Sequence, residues 1–196
     1  MSYLRAFLPW IVFAVIPGSQ WQWAALIAVV ISAVGIVRQI AAGLPLDAQI
    51  IELGSAAYFA ALAVLAFADP HTALHSYTAS LASGALGLIG LVSLAIAKPF
   101  TLGVAKQSTP RELWDHPFFI RVNVVITSVW TASFVAGCAA LALLAHASVL
   151  TRSIVQTAAF AIPLVFTLRY VAQAQARAEA HAHGEANAPL SDPFTA

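Results

Sequence analysis

Arg38, Glu52 and Arg169 lie near the ends of long apolar stretches of this 196-residue chain. A charge in the hydrocarbon region costs about 2.5–3.5 kcal/mol on insertion scales, so each residue needs a partner or a function. On helices all three would lie at a similar depth, so Glu52 can form an ion pair with Arg38 or Arg169. The alternative is a carboxylate that is linked to proton or substrate movement. We favour an ion pair that fixes helix packing, or snorkelling to the interface, because none of the three lies at the midplane.

A polar stripe is predicted further along the chain, where Asn123, Thr127 and Thr131 are spaced i, i+4, i+8. This spacing puts them on one face of a helix. We expect the face to contact other helices, because polar groups exposed to lipid are expensive. It could line a pore or a ligand pocket, but interhelical hydrogen bonding is the more frequent use. The candidate intramembrane polar site therefore consists of Arg38, Glu52, Asn123, Thr127 and Arg169.

The longest polar interruption of the chain begins at Lys98 and leads into the helix that contains Trp130. Ser108 or Thr109 can cap a short helix that has Pro110 in its first turn. A Trp and a Leu beside an Arg are typical of a helix that lies at the membrane surface. The segment would bind a partner or anionic lipid, or it is an ordinary positively charged loop. The candidate interaction residues are Lys98, Pro99, Arg111, Trp114, Asp115 and Arg121.

Other kinds of chemistry find little support in the sequence. The chain contains no phosphate-binding glycine motif, no nucleophile motif and no paired carboxylates at the membrane face, so we predict no enzyme and no cofactor. His181 and His183 are a weak metal signal in a neutral tail, and we predict no metal. The single Cys138 excludes a disulfide within the chain, and a net charge of +1 gives no attraction to nucleic acid.

The elements that must position these residues follow from hydropathy. The chain is 61% hydrophobic and only 9% charged, whereas soluble domains carry roughly 25% charged residues. We therefore predict an all-α, polytopic integral membrane protein with about six transmembrane helices. Residues 1–173 form the transmembrane domain with a cytoplasmic loop at 98–117, and residues 174–196 form a flexible cytoplasmic tail. The predicted spans are Leu4–Ile16, Trp21–Ile40, Ala48–Ala68, Tyr77–Ala97, Phe118–Ala145 and Leu150–Ala172.

The distribution of positive charge predicts the orientation. With six spans and both termini in the cytoplasm, all of the nine Lys and Arg residues except Arg152 fall on the cytoplasmic side. The expected location is a bacterial cytoplasmic (inner) membrane, with membrane lipid as a partner. The first span is short. If it does not cross the bilayer there are five crossings, and only the N-terminus changes side.

The predicted fourth span is rich in small residues, which allow helix backbones to approach closely. Ser80 and Gly84 are four residues apart, as are Ser83 and Gly87, which puts each pair on one helix face, and Gly90 continues the run of small residues. The face serves either internal helix packing, which we favour slightly, or a homodimer contact.

Several of these positions resemble the intracellular septation protein A family of bacterial inner-membrane proteins. The resemblance lies in Phe7-Leu8-Pro9, in Lys98-Pro99 after the fourth apolar segment, in a loop with a Trp, and in a helix with Asn123, Trp130 and Phe134. It implies a non-enzymatic protein that acts in cell-envelope synthesis or division through contacts with other membrane proteins. The alternative function is a small transporter or channel subunit that uses Glu52, Arg169 and the face with Asn123 and Thr127.

Overall fold

The computed structural model describes residues 6–186, with the side chains of all of these except 47 and 177–186. All regular secondary structure within that range is helical, so the all-α prediction is confirmed there. The α-helices are α1 (Leu8–Val15), α2 (Trp21–Ala41), α3 (Ile50–Ala68), α4 (Thr78–Ala95), α5 (Phe100–Lys106), α6 (Pro117–Leu143) and α7 (Val149–Ala186).

Five segments of the described residues are long and apolar enough to cross a membrane. They are Gly18–Ala41, Ile50–Ala68, Ala73–Ala95, Pro117–Leu143 and Val149–Ala176. Two of them include a 3-10 turn before the α-helix. The fold therefore defines a class, an all-helical membrane-embedded protein, and five of the six predicted spans have a counterpart.

The first predicted span corresponds to α1, which has only eight residues. At about 1.5 Å per residue it rises roughly 12 Å, against a hydrocarbon core of about 30 Å. Its start packs inside the bundle instead, where Phe7 and Trp10 are buried. Trp10 Nε1 donates a hydrogen bond to Ser55 Oγ of α3 over 2.8 Å. The indole N–H thus has a partner in a region without water.

Aromatic side chains from α1, α6 and α7 meet in the core. The ring of Phe7 stacks on Trp130 with centroids 4.9 Å apart, and the ring of Phe160 meets Phe7 edge-on at 4.9 Å. Trp130 Nε1 donates to Thr167 Oγ1 over 2.9 Å. Trp130 and Phe134 are both fully buried, so these two aromatic side chains serve core packing.

The small residues of α4 pack against α6. Ser80 Oγ donates to the carbonyl oxygen of Cys138 over 2.9 Å. A Cβ at Gly84 would lie 3.0 Å from Cys138 Sγ, and one at Gly90 would overlap the Thr131 hydroxyl. Internal packing, the use we favoured slightly, thus covers this face in the structure.

Pro163 lies inside α7, and a side chain of α6 compensates for the hydrogen bond that it removes. Pro163 has no N–H, so it leaves the carbonyl oxygen of Ala159 without its usual helical donor. Ser133 Oγ of α6 donates to that oxygen over 2.8 Å. The two helices approach closely beside this bond, since a Cβ at Gly137 would lie 2.8 Å from Ala159 Cβ. A neighbouring helix therefore restores the backbone pairing that lipid cannot provide.

The predicted loop 98–117 begins with a buried helix, which corrects that prediction. Helix α5 buries Phe100, Thr101, Gly103 and Val104. A Cβ at Gly103 would overlap the carbonyl oxygen of Ala48, so α5 lies directly against the turn between α2 and α3. Apolar and small residues made this stretch able to pack within the protein. Residues 107–116 remain as the connecting segment.

The C-terminal region continues as helix beyond the predicted domain boundary at residue 173. Helix α7 extends to Ala186. The part of the predicted tail formed by residues 187–196 lies outside the described residues, as do the side chains of His181 and His183.

Candidate functional site

The candidate residues gather at one end of the bundle, which we call the basic end. Here α2, α4 and α7 finish and α3 and α6 begin. It is defined by the positively charged residues Arg38, Lys98, Lys106, Arg111, Arg121 and Arg169.

The polar stripe of α6 faces inward at this end, as predicted. Asn123, Thr127 and Thr131 are all buried. Thr101 Oγ1 of α5 lies 2.7 Å from Thr127 Oγ1 and donates to the carbonyl oxygen of Asn123 over 3.0 Å. The stripe therefore joins α6 to α5 by hydrogen bonds. Thr131 Oγ1 instead donates to the Thr127 carbonyl of its own helix over 2.7 Å.

Asn123 has one unusual atom. Its Nδ2 donates to the carbonyl oxygen of Phe119 over 2.9 Å, which fixes the orientation of the amide. Its Oδ1 is buried and has no hydrogen-bond partner among the described residues. The side chain is only 2% exposed. A buried acceptor without a donor loses the free energy of its hydration, so a hydrogen bond from a ligand or a water molecule would stabilise this atom.

Glu52 has a different partner from the two arginines that the sequence suggested. Gln39 Nε2 of α2 donates to Glu52 Oε1 over 2.6 Å, whereas Arg38 and Arg169 are exposed. Neither arginine forms an ion pair with Glu52 in the described structure, which corrects that prediction. The reason lies in helix rotation: Gln39, the neighbour of Arg38 in sequence, is the residue that α2 turns toward α3.

Two further glutamines lie at this end of the bundle, and the prediction from the sequence omitted them. Gln107 Nε2 lies 3.4 Å from Gln39 Oε1 and donates to it, while Gln49 Nε2 donates to the Leu44 carbonyl over 3.1 Å. Within the described range, Glu52 Oε2 and Gln49 Oε1 are buried without a partner. Gln49 precedes Glu52 by three residues at the start of α3, and that spacing was the available signal.

Helix α5 connects the two polar clusters. Thr101 in its first turn contacts α6, and Gln107 just beyond its last turn contacts Gln39 of α2. Ser93 Oγ accepts a hydrogen bond from the Phe100 N–H over 3.2 Å and so caps the helix start. The clusters themselves remain separate, because Glu52 is bonded toward α2 and Asn123 toward α5.

The connecting segment carries an ordered cationic cluster around Trp114. Lys106 Nζ lies 5.1 Å and Arg111 Cζ 5.5 Å from the centre of the indole ring. Trp114 Nε1 donates to the Thr109 carbonyl over 3.0 Å. Arg111 also lies against the α2–α3 turn, since a Cβ at Gly43 would be 3.6 Å from its Nη2. Cation–π contacts thus position both positive charges.

The other predicted interaction residues divide into two groups. Lys98, Asp115 and Arg121 have exposed side chains, whereas Pro99 is buried and cannot contribute to a docking surface. Lys98-Pro99 follows Ala97, whose φ of 55° lies in the left-handed region. The Lys98 N–H donates to the Ser93 carbonyl over 2.9 Å, which closes the end of α4. This pair therefore has a structural role.

A cavity of about 550 Å³ lies between the connecting segment, α6 and α7. Asn123 lines it together with Phe119, Val122 and Ile126. Ser108, Thr109 and His116 lie toward its other end. No group of three or more His, Cys, Asp or Glu side chains that could hold a metal ion occurs in the described part of the chain.

The chain has no significant match to a protein-family model, to a curated protein or to a solved structure.

Proposed function

We propose that this protein is a non-enzymatic interaction protein of the bacterial cytoplasmic membrane, with a role in cell-envelope synthesis or division. Its docking surface would be the exposed part of residues 111–118 at the basic end. The observation that carries this proposal is the pair of cations held on the Trp114 ring. An unconstrained loop would not fix Lys106 and Arg111 on one aromatic ring.

The surface offers both apolar and polar contacts to a partner. Leu113 is 48% exposed and Phe118 44% exposed, and Arg111, Glu112 and Asp115 are exposed beside them. An apolar centre with charged neighbours and an Arg is the composition that protein interfaces favour. The partner we propose is another envelope membrane protein.

The orientation we propose puts the basic end in the cytoplasm, in accord with the positive-inside rule. Of the residues that carry the family resemblance, Phe7, Trp130 and Phe134 pack together in the core. The envelope role rests on that resemblance.

Site-specific photo-crosslinking in the membrane tests the docking surface. The crosslinking residue belongs at Leu113, because Trp114 is needed to hold the segment. Ala142, exposed near the end of α6 away from the basic end, is the control position. We expect one envelope protein to be captured reproducibly from Leu113 and none from Ala142. Capture of lipid alone at both positions would refute the docking surface.

Two tryptophan substitutions separate this role from general stability. Trp114→Ala removes the ring that holds Lys106 and Arg111, so we expect at least a fivefold loss of the Leu113 crosslink, from about 0.5–1 kcal/mol per cation–π contact. Trp23→Ala is the matched control, because Trp23 is 52% exposed at the opposite end of the bundle. Equal losses in both variants would show that the effect is one of folding.

The second candidate is a small transporter or channel subunit that uses Glu52. The buried, unpartnered Glu52 Oε2 favours it. Glu52→Gln removes the charge and keeps an acceptor for Gln39, so the variant should fold. Abolished flux in vesicles with unchanged partner capture would support transport, whereas normal capture and no measurable flux in the wild type would exclude it.

A further inference from the structure

The cavity beside α6 has a polarity gradient along the bundle axis. Ser108, Thr109 and His116 lie in the connecting segment, outside the apolar spans. Phe119, Val122 and Ile126 follow on α6, progressively deeper in the span. Since α6 rises about 1.5 Å per residue, Ile126 lies roughly 13 Å below the start of the helix at Pro117. Leu113 and Phe118 also line the outer end, so polar and apolar side chains lie side by side there, whereas the deeper wall on α6 is apolar except for Asn123. Polar groups at the outer end above an apolar wall match an amphiphile at the membrane interface.

The size of the cavity and its single buried polar side chain restrict the class of ligand further. About 550 Å³ falls within the range of roughly 300–1,000 Å³ that is typical of small-molecule sites. Asn123 is the polar residue set among the apolar positions, and its Oδ1 has no donor in the described structure. The bond from Nδ2 to the Phe119 carbonyl prevents the amide from flipping. Only a hydrogen-bond donor can therefore satisfy this atom.

We propose that the cavity binds a membrane lipid through one acyl chain, and that a hydroxyl or amine of this lipid donates a hydrogen bond to Asn123 Oδ1. The acyl chain lies against Phe119, Val122 and Ile126, and the polar end reaches Ser108, Thr109 and His116. The inference does not depend on the proposed docking function, because it rests on Asn123 and the apolar wall of α6 and not on the cations held at Trp114. The amide gives the site a preference among lipids that an apolar cavity would lack.

A photoactivatable lipid provides the test. The probe is 1-oleoylglycerol with a diazirine in the acyl chain, added to the full-length protein in phosphatidylcholine vesicles, and labelled peptides are identified by mass spectrometry. Two unlabelled competitors differ only at the polar end: 1-oleoylglycerol and its dimethyl ether, which cannot donate. We expect labelling of residues 119–126 and about five- to tenfold better competition by the hydroxyl compound, as one buried hydrogen bond would give.

Three variants test whether the labelling and the difference between the competitors arise from Asn123 and from the cavity. Asn123→Leu preserves shape and leaves intact the main-chain carbonyl that Thr101 uses, so labelling should persist while the two competitors become equal. Val122→Trp fills the cavity and should abolish labelling. Val124→Trp, at a position 37% exposed on the same helix, should have no effect. Folding of each variant is checked by size-exclusion chromatography.

The unfavourable outcomes are equally clear. Equal competition by both compounds in the wild type would show that Asn123 Oδ1 meets only water, and the proposal would be wrong. Labelling that Val122→Trp and Val124→Trp reduce equally would place the probe on the outer surface and refute the cavity as its site. If Val122→Trp fails to fold, the comparison of competitors on wild type and Asn123→Leu still decides.

Discussion

Replacing Gly103 by alanine tests whether α5 is buried as the structure has it. A Cβ at this position would overlap the carbonyl oxygen of Ala48, which is backbone and cannot rotate away. Forced overpacking costs about 1–3 kcal/mol. Against this, any Gly→Ala change inside a helix gains about 0.8–1 kcal/mol of helix propensity. The net effect of Gly103→Ala alone is therefore the difference of two comparable terms.

Gly35→Ala isolates the steric term. Gly35 lies inside α2, and a Cβ there would meet nothing within 4 Å. Both variants gain the same propensity, so Gly103→Ala should be less stable than Gly35→Ala by about 1–3 kcal/mol. That is roughly 2–12 °C in the midpoint of thermal unfolding for a chain of this size. The assay is thermal unfolding of the purified protein in detergent, monitored by size-exclusion chromatography.

A second variant links the clash at Gly103 to the hydrogen bond between Thr101 and Thr127. If Gly103→Ala displaces α5, the contact between Thr101 and Thr127 is already broken. Thr127→Val should then cost less in the Gly103→Ala background than in the wild type, a coupling that a double-mutant cycle measures. Two results would refute the reasoning: equal unfolding midpoints for Gly103→Ala and Gly35→Ala, or strictly additive effects in the cycle. Equal midpoints would mean that α5 does not lie against the Ala48 turn, and additive effects would mean that the clash does not separate Thr101 from Thr127.

Two further predictions concern the contacts of α6. Ser133→Ala leaves the Ala159 carbonyl without a donor and should destabilise the protein by about 1–3 kcal/mol. Ser128→Ala is the control, because it removes a hydrogen bond within α6 at an exposed position and should cost less than about 0.5 kcal/mol. Equal unfolding midpoints for the two variants would contradict this prediction. Gly84→Cys should form a disulfide with Cys138 of the same chain on oxidation, because a Cβ at Gly84 would lie 3.9 Å from Cys138 Cβ, a suitable separation. Non-reducing gel electrophoresis checks this, and a covalent dimer in place of an internally closed monomer would show that the α4 face is open to a second copy.

The roles of the small and polar residues in α4 and α6 were largely predictable. A helix in lipid satisfies its own backbone, so any polar side chain on it must find a partner on another helix. That argument correctly turned Asn123, Thr127 and Thr131 inward. It could not say that the partner of Thr127 would be Thr101. Thr101 belongs to a short apolar run inside a segment that is otherwise polar, and the whole segment was predicted to be a loop.

The sequence by itself determined the membrane class and the five long helices, because hydropathy is a local property and about 20 apolar residues suffice to cross a bilayer. It also determined that Asn123, Thr127 and Thr131 must face other helices. Only the tertiary structure decided the partners: Gln39 rather than an arginine for Glu52, α6 for the face of α4, and the interior rather than solvent for α5. These outcomes depend on how each helix is rotated against its neighbours. That rotation is set by close packing between residues far apart in the chain, at contacts such as Gly103 with Ala48 and Gly90 with Thr131, which no local pattern encodes.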